Sequence, residues 1–145
     1  MEAIRIKLLR DDAQIPTYGS AQAAGADLYA CIDKTVEIAP GESVWIPTGV
    51  AMELPEGYVG LIYARSSMGV KRGLAPANKV GVIDSDYRGE IRVVLYNHSK
   101  QQQSVEPNER IAQMVITPVI TPGFCVVDEL EDTQRSDKGF GSTGK

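Results

Sequence analysis

Two apolar runs joined by a polar turn occupy residues 81–96, GVIDSDYRGEIRVVLY. Short apolar runs on either side of a turn are typical of a β-hairpin. Asp86 and Gly89 take the first and fourth places that a type I turn favours, so we expect the turn over residues 86–89. The segment therefore indicates a β-rich fold and brings two carboxylates and a tyrosine to one turn.

Similar short runs continue in both directions from this hairpin. Turn segments rich in Pro and Gly separate several of them, and many short strands at such intervals predict an all-β sandwich or barrel. One short helix is expected at 68–72, after Ser66 and Ser67 and before Gly73, and serine N-capping alone would explain the two hydroxyls. The predicted strands are 4–8, 36–38, 44–46, 50–54, 58–63, 80–83, 90–96, 111–116 and 124–127, with 24–30 as a further strand-like segment.

The composition of the 145 residues limits the possible classes of protein. The length fits one domain of ~100–200 residues; we expect it to span residues 1–130, followed by a flexible C-terminal arm at 131–145. A net charge of −4 gives no basic surface for nucleic acid or an anionic membrane. Because no apolar segment reaches the ~18 residues of a membrane span and charges interrupt the N-terminal runs, we expect a cytoplasmic protein without a signal peptide.

The histidine and cysteine residues argue against several chemistries. His98 is the only histidine and is expected in an exposed turn, which disfavours a Ser-His-Asp triad and a histidine metal site. Cys31 and Cys125 have no partner at metal-ligand spacing, so we expect two reduced, buried thiols.

The hairpin and the helix start carry the first candidate site residues. Asp84, at the end of an apolar strand, could hold and deprotonate a water, and Tyr87 could lay its ring against a sugar or base. Arg65, Ser66 and Ser67 together offer charged, hydroxyl and backbone donors, which is how a helix start binds phosphate. Each stretch alone is also compatible with a purely structural role.

Two further stretches and the tail add polar groups. Asp27 lies in a small, apolar strand and could meet Mg²⁺ through water, although a structural Asp would look the same. Arg110 and Gln113 lie at the ends of a short strand, where an ion pair and an exposed amide would also explain them. The tail 139–145 fits the spacing of a P-loop, but no core strand precedes it and no helix follows, so we reject that motif.

Taken together and in this order, five stretches resemble the motifs of the trimeric deoxyuridine triphosphate nucleotidohydrolases (dUTPases) over nearly the whole chain. These stretches are 24–28, 64–67, 81–89, 109–113 and 135–144. The resemblance implies a distorted jelly-roll β-barrel of the β-clip type, and a homotrimer whose active sites each take residues from three chains. It also implies hydrolysis of dUTP to dUMP and pyrophosphate with Mg²⁺, which lowers dUTP and supplies dUMP for dTMP synthesis.

The resemblance further implies a role for each matching residue. Asp84 would activate the water that attacks the α-phosphorus, and Arg65 and Gln113 would order that water and the phosphates. Tyr87 would pack on the deoxyribose and exclude a ribose, and Asp27 would meet, through water, a Mg²⁺ held mainly by the substrate phosphates. The other implied substrate-binding residues are Ser66 and Ser67 for phosphate, Asn78, Val82 and Ile83 for uracil, Arg92 on the hairpin's return strand, Phe140 stacked on uracil, and Arg135, Gly141, Ser142 and Thr143 closing over the phosphates.

The second motif departs from the usual Pro-Arg-Ser-Gly, because Ala64 and Ser67 replace its outer residues. Two alternatives remain open. A dCTP deaminase of the same superfamily would need an acid/base residue beside C4 of the pyrimidine, where the hairpin offers Tyr87 and a turn. A regulatory protein that only binds dUTP would not need Asp84.

Overall fold

The computed structural model describes residues 3–137 and 139 of the chain. Short strands and one π-helical segment account for its regular structure, in agreement with the all-β prediction. The strands are β1 (Arg5–Leu8), β2 (Thr17–Tyr18), β3 (Ala26–Tyr29), β4 (Val36–Ile38), β5 (Ser43–Pro47), β6 (Val50–Glu53), β7 (Tyr58–Tyr63), β8 (Leu74–Pro76), β9 (Gly81–Ile83), β10 (Arg92–Asn97), β11 (Gln103–Val105) and β12 (Arg110–Pro118), and the π-helix is Ser67–Arg72.

The strands pair in antiparallel fashion in four sheets. The largest has the order β2-β3-β12-β7-β9, a second has the order β5-β10-β8, and the pairs β1-β6 and β4-β11 complete the set. Strand β12 is the longest, and it lies between β3 and β7. Its residue Gln113 is opposite Asp27 of β3 on one side and Tyr63 of β7 on the other.

Among the described residues, one apolar core cluster lies inside these sheets. It forms because the strands alternate: in β10, Val93 and Leu95 are buried while Arg92 is exposed, and in β5 Ile46 is fully buried while Trp45 is 68% exposed. Alternation of this kind places one face of each strand on the core and the other outside. The residues that line the outer face of β5 and β10 are therefore free to form a surface site.

The π-helix ends where the sequence predicts it, at Gly73. This glycine has a φ of +69°, and a Cβ there would lie 2.7 Å from the Cβ of Ser99, so both the backbone conformation and the space require glycine. Arg72 in the last turn ion-pairs with Glu109 and donates to the Ser104 carbonyl, which fixes the helix against strand β11 and the loop before β12. Serine capping, the structural alternative for this stretch, is not observed at Ser66, which itself has helical dihedral angles and makes no side-chain capping hydrogen bond.

Three other expectations need correction. The run 124–127 forms no strand, and Cys125 is exposed, because this part of the chain has left the sheets after Pro118. The hairpin turn lies two residues earlier than predicted, with the Tyr87 N–H donating to the Asp84 carbonyl at 3.2 Å.

Two predictions about single residues are confirmed. Cys31 is buried, and burial raises the pKa of its thiol, and His98 is exposed. Within residues 3–137 and 139, no helix has the length and hydropathy that crossing a bilayer requires.

Candidate active site

A surface pocket opens between the hairpin after β9 and the outer face of β5 and β10. Its volume is about 310 Å³, within the range of small-ligand sites. We call it the hairpin pocket; it is lined by Trp45, Val82, Ile83, Asp84, Tyr87, Glu90 and Arg92. Five of the residues assigned from the resemblance therefore lie around one cavity, with Asp84 exposed at the end of β9.

The ring of Tyr87 is held across the hairpin. Its hydroxyl donates to the Glu90 carbonyl at 3.0 Å, so the ring folds back over the turn. Gly89 lies directly under this ring, because a Cβ at that position would be 2.6 Å from the Tyr87 Cζ. Two hydrogen bonds hold the Glu90 carboxylate in the wall of the pocket: Arg92 Nε donates to Oε2 at 2.8 Å, and the Gly49 N–H donates to Oε1 at 3.0 Å.

Strand β9 supplies backbone groups as well as side chains. It is the edge strand of the five-stranded sheet, paired with β7 alone in that sheet. An edge strand presents a row of backbone N–H and C=O groups on its outer side, which can pair with a planar ligand that carries complementary donors and acceptors. The backbone N–H and C=O groups of Val82 and Ile83 can therefore form hydrogen bonds to the edge of a planar ligand.

A second cluster lies at the other end of the same sheet; we call it the arginine cluster. Asp27 is 8% exposed and accepts from two guanidinium groups: Arg65 Nε donates to Oδ1 at 2.7 Å, and Arg110 Nη1 donates to Oδ2 at 3.3 Å. Arg65 Nη1 also donates to Ser67 Oγ at 3.0 Å. Two guanidiniums against one carboxylate leave a net positive charge, which suits an anion.

Gln113 joins this cluster from the central strand. Its Nε2 donates to the Ala64 carbonyl at 2.9 Å, directly before Arg65. The side chain lies against Gly25, where a Cβ would come within 2.6 Å of Oε1. Glycine in the first motif thus makes room for the glutamine of the fourth. Arg110 makes the ion pair that was one explanation for it, whereas Gln113 is half-buried and hydrogen-bonded and is not the exposed surface amide of the other explanation.

The two groups of residues are well separated within one chain. Along β7, Ile83 lies opposite Gly60 and Gln113 lies opposite Tyr63. At roughly 3.3 Å per residue and roughly 4.8 Å per strand, Ile83 and Gln113 are about 10 Å apart along the sheet and about 10 Å apart across it. Asp84 lies one residue farther away, so its backbone is about 14 Å or more from that of Gln113 in the arginine cluster of its own chain.

The remaining predicted residues lie outside both groups or outside the described residues. Asn78 is exposed in the loop between β8 and β9, and Ser66 is exposed just before the π-helix. Arg135 is exposed beyond Pro118. Phe140, Gly141, Ser142 and Thr143 lie outside the residues that the structure describes.

Two residues of the hairpin pocket, Trp45 and Glu90, were not predicted from the sequence. The signal that could have indicated Trp45 is a large aromatic ring at an outward position of β5.

The acidic groups do not form a preassembled metal site. In the part of the chain that the structure describes, no group of three or more His, Cys, Asp or Glu side chains could hold a metal ion. The Asp27 carboxylate is already paired with two arginines, but each carboxylate oxygen can accept more than one hydrogen bond. The donor set fits a cation that arrives with a phosphate ligand, with Asp27 contacting it through water.

Comparison with known proteins agrees with this architecture. The family model described as dUTPase matches residues 11–144. A deoxyuridine 5'-triphosphate nucleotidohydrolase of Hydrogenobaculum sp. (strain Y04AAS1) is 50% identical over 139 residues, 96% of both chains, and one of Janthinobacterium sp. (strain Marseille) is 45% identical over 100% of this chain and 99% of its own. A mutant dUTPase of Staphylococcus bacteriophage 80alpha, solved with dUpNHpp, superposes with a TM-score of 0.90 at 31% identity over 100% of both chains.

These matches and the fold define an all-β nucleotidohydrolase of the jelly-roll type. The chain belongs to the dUTPase family. A further solved relative, a mutant dUTPase from phage phi11 of S. aureus, has a TM-score of 0.81 at 27% identity and covers 90% of this chain and 100% of its own. That structure is described as revealing the coordination of a structural Mg(II) ion.

Proposed function

We propose that this chain hydrolyses dUTP to dUMP and pyrophosphate. The observation that carries the proposal is the nearly full-length identity to relatives named deoxyuridine 5'-triphosphate nucleotidohydrolase, combined with the positions of the matched motifs around the hairpin pocket and the arginine cluster. In this reaction, a water attacks the α-phosphorus and pyrophosphate leaves.

The hairpin pocket would bind the nucleoside and the water. Asp84 is exposed and lies beside the Tyr87 ring, so it can accept a proton from a water held at the α-phosphorus. Tyr87, fixed by its bond to the Glu90 carbonyl, would pack on the deoxyribose and leave no space for a 2′-hydroxyl. Asn78 and the edge backbone of Val82 and Ile83 would read uracil.

The arginine cluster would hold the phosphates. Asp27 and Ser67 orient the Arg65 guanidinium, and Gln113 is fixed against Ala64 at the same place. Ser66 adds an exposed hydroxyl at the start of the π-helix. In this chain Ser67 replaces the usual glycine, and its hydroxyl accepts a hydrogen bond from Arg65 Nη1 and so helps to orient that guanidinium.

Mg²⁺ would enter this site with the triphosphate. Because Mg²⁺ keeps several waters and favours phosphate oxygens, a dedicated protein cage is not needed. Asp27 would contact one of those waters, and the bound ion would neutralise phosphate charge. The Mg(II) of the phi11 relative supports a divalent cation in this family but belongs to that protein.

We further propose that three copies share each active site. The backbones of Asp84 and Gln113 in one chain are about 14 Å or more apart, which supports assembly of the site from different copies. The segment between Pro118 and the arm supports the same arrangement, since Ile120, Phe124 and Val126 are 86%, 101% and 99% exposed in the single chain, and such side chains favour burial against a partner. In the domain assigned to residues 1–130 the barrel strands end at Pro118, and residues 131–145, with Arg135, Phe140, Gly141, Ser142 and Thr143, would close over a neighbouring site.

Pyrophosphate release with Mg²⁺ tests the reaction, with dUTP compared against UTP, dCTP and dTTP. We expect turnover of dUTP and little turnover of dCTP and UTP, because Asn78 and the edge of β9 would pair with uracil and Tyr87 would exclude a ribose. Thymine has the same pairing edge as uracil, so dTTP tests whether the pocket also excludes the C5 methyl group. Ammonia release from dCTP would instead identify a deaminase. Tight dUTP binding with no turnover would contradict the proposed reaction and indicate a nucleotide sensor.

A further inference from the structure

One wall of the hairpin pocket is an aromatic side chain to which the five matched motifs assign no role. Trp45 lies on β5, outside all five stretches, and its side chain is 68% exposed. Its backbone register places it opposite Val94, two residues beyond Arg92 on β10, so the indole is on the outer face together with Arg92. Ile46, the next residue, is fully buried in the core, whereas Trp45 is not among the core residues.

The pocket has the chemistry of a site for an uncharged, flat ligand. Indole, the Tyr87 ring and the Val82 side chain supply apolar surface, while the edge of β9 supplies backbone donors and acceptors. Asp84 and Glu90 outnumber Arg92 among the charged lining groups, so the local charge is negative and disfavours phosphate next to the indole. The nucleoside part of a nucleotide fits this wall, whereas its phosphates fit the arginine cluster.

We propose that Trp45 is a further substrate-binding residue, and that its indole packs against the nucleoside part of dUTP in the hairpin pocket. This inference rests on the proposed function for the identity of the nucleotide. Contact with an aromatic ring would bury surface that is exposed in the free protein and would strengthen binding of substrate and transition state alike. A residue of this kind changes KM and leaves kcat nearly unchanged.

The chain offers a direct readout, because Trp45 is its only tryptophan. The intact protein is titrated with dUMP while indole fluorescence is recorded, and inorganic pyrophosphate serves as the matched phosphate probe. We expect a saturable change in intensity or wavelength with dUMP and none with pyrophosphate. The absence of any change at dUMP concentrations that saturate the protein by calorimetry would overturn the proposal.

Substitution provides the second test. Trp45→Ala is expected to raise the KM for dUTP about 10-fold with kcat within about two-fold, and Trp45→Phe to restore most of the affinity. Leu9→Ala, which removes another exposed apolar side chain outside the pocket, is the control and is expected to leave KM unchanged. An unchanged KM in Trp45→Ala, or a change in its molar mass in solution, would overturn the proposal and assign the indole to another role.

These outcomes separate this inference from the proposed function. If the wild-type protein binds dUMP with a change in indole fluorescence but does not hydrolyse dUTP, the reaction is wrong and the contact stands. If it hydrolyses dUTP and the indole does not respond, the contact is wrong and the reaction stands. Should Trp45→Ala fail to fold, Trp45→Phe and the wild-type titration still decide the question.

Discussion

Asp84 is the residue on which the proposed chemistry depends most. Its backbone carbonyl accepts the turn hydrogen bond from the Tyr87 N–H, and its carboxylate is exposed at the mouth of the hairpin pocket. A group of this kind contributes through proton transfer and not through stability.

We therefore expect Asp84→Asn to lower kcat by roughly 10²–10⁴-fold, the usual contribution of a positioned general base. The amide has nearly the same shape, so the melting temperature and the affinity for dUMP should stay close to those of the wild type. Steady-state kinetics and calorimetry measure both. Turnover near the wild-type rate would show that another group activates the water.

Gly89 illustrates how a residue without a side chain can determine specificity. Because a Cβ there would overlap the Tyr87 ring, Gly89→Ala should push the ring away from the Glu90 carbonyl and open space beside the sugar. We expect a higher KM for dUTP and a smaller preference for dUTP over UTP. Gly19→Ala is the matched control, since nothing lies within 4 Å of its added Cβ. Equal effects of the two substitutions would contradict this role.

At the scale of elements, the π-helix depends on how its last turn is closed. Gly73 and Gly57 both have positive φ, +69° and +79°, but a Cβ meets Ser99 at Gly73 and open space at Gly57. Replacing either with alanine costs about 1 kcal/mol for the left-handed backbone. We expect Gly73→Ala to lower the free energy of unfolding by about 2 kcal/mol or more, and Gly57→Ala by about 1 kcal/mol, in urea titrations. Equal losses would show that the contact with Ser99 relaxes freely.

The elements also show what could be predicted from the sequence. Strands with alternating or continuous apolar residues, such as β7 and β10, were predicted to within two residues at each end. Strand β11, Gln103–Val105, was missed because its polar residues carry no such pattern and it forms only where β4 provides a partner. The run 124–127 has the pattern but no neighbouring strand in the part of the chain that the structure describes, and it stays exposed.

The candidate site was predicted from the five ordered sequence motifs and not from the alternation of apolar and polar residues. Order and spacing of the five stretches located Asp84, Tyr87, Arg65 and Gln113, and the structure brings the first two to one pocket and the last two to one cluster. Trp45 was missed because a single aromatic residue in a strand has no spacing to mark it. Which side of β5 faces the hairpin is decided by pairing with β10, which lies about fifty residues later in the chain.

At the scale of the whole molecule, the distance between Asp84 and the arginine cluster has a consequence that can be tested by mixing. Asp84→Asn and Arg65→Ala chains are each expected to be inactive alone. Refolded together, they should recover part of the wild-type turnover, because a site can then take Asp84 from one copy and Arg65 from another. Mixtures no more active than their components would show that each chain builds its own site.

The arm provides the other test at this scale. Deleting the chain after Thr133 removes Arg135 and the segment matched to the fifth motif, while the strands end earlier, at Pro118. We expect an unchanged melting temperature and a kcat/KM lower by roughly 10²-fold, the contribution of several donors that close over phosphate. Wild-type turnover in the truncated protein would exclude the arm from catalysis.

Strand β12 also determines when the site can form during synthesis. It fills the place between β3 and β7, and its Arg110 meets Asp27 across 83 residues of sequence. Contacts between such distant residues make folding slow, because the chain must close a long loop before any pairing energy is gained. Until residues 110–118 have left the ribosome, β3 and β7 present unpaired edges that can bind other nascent chains. Slower growth or a lower temperature during expression should therefore raise the yield of folded protein without any change in sequence.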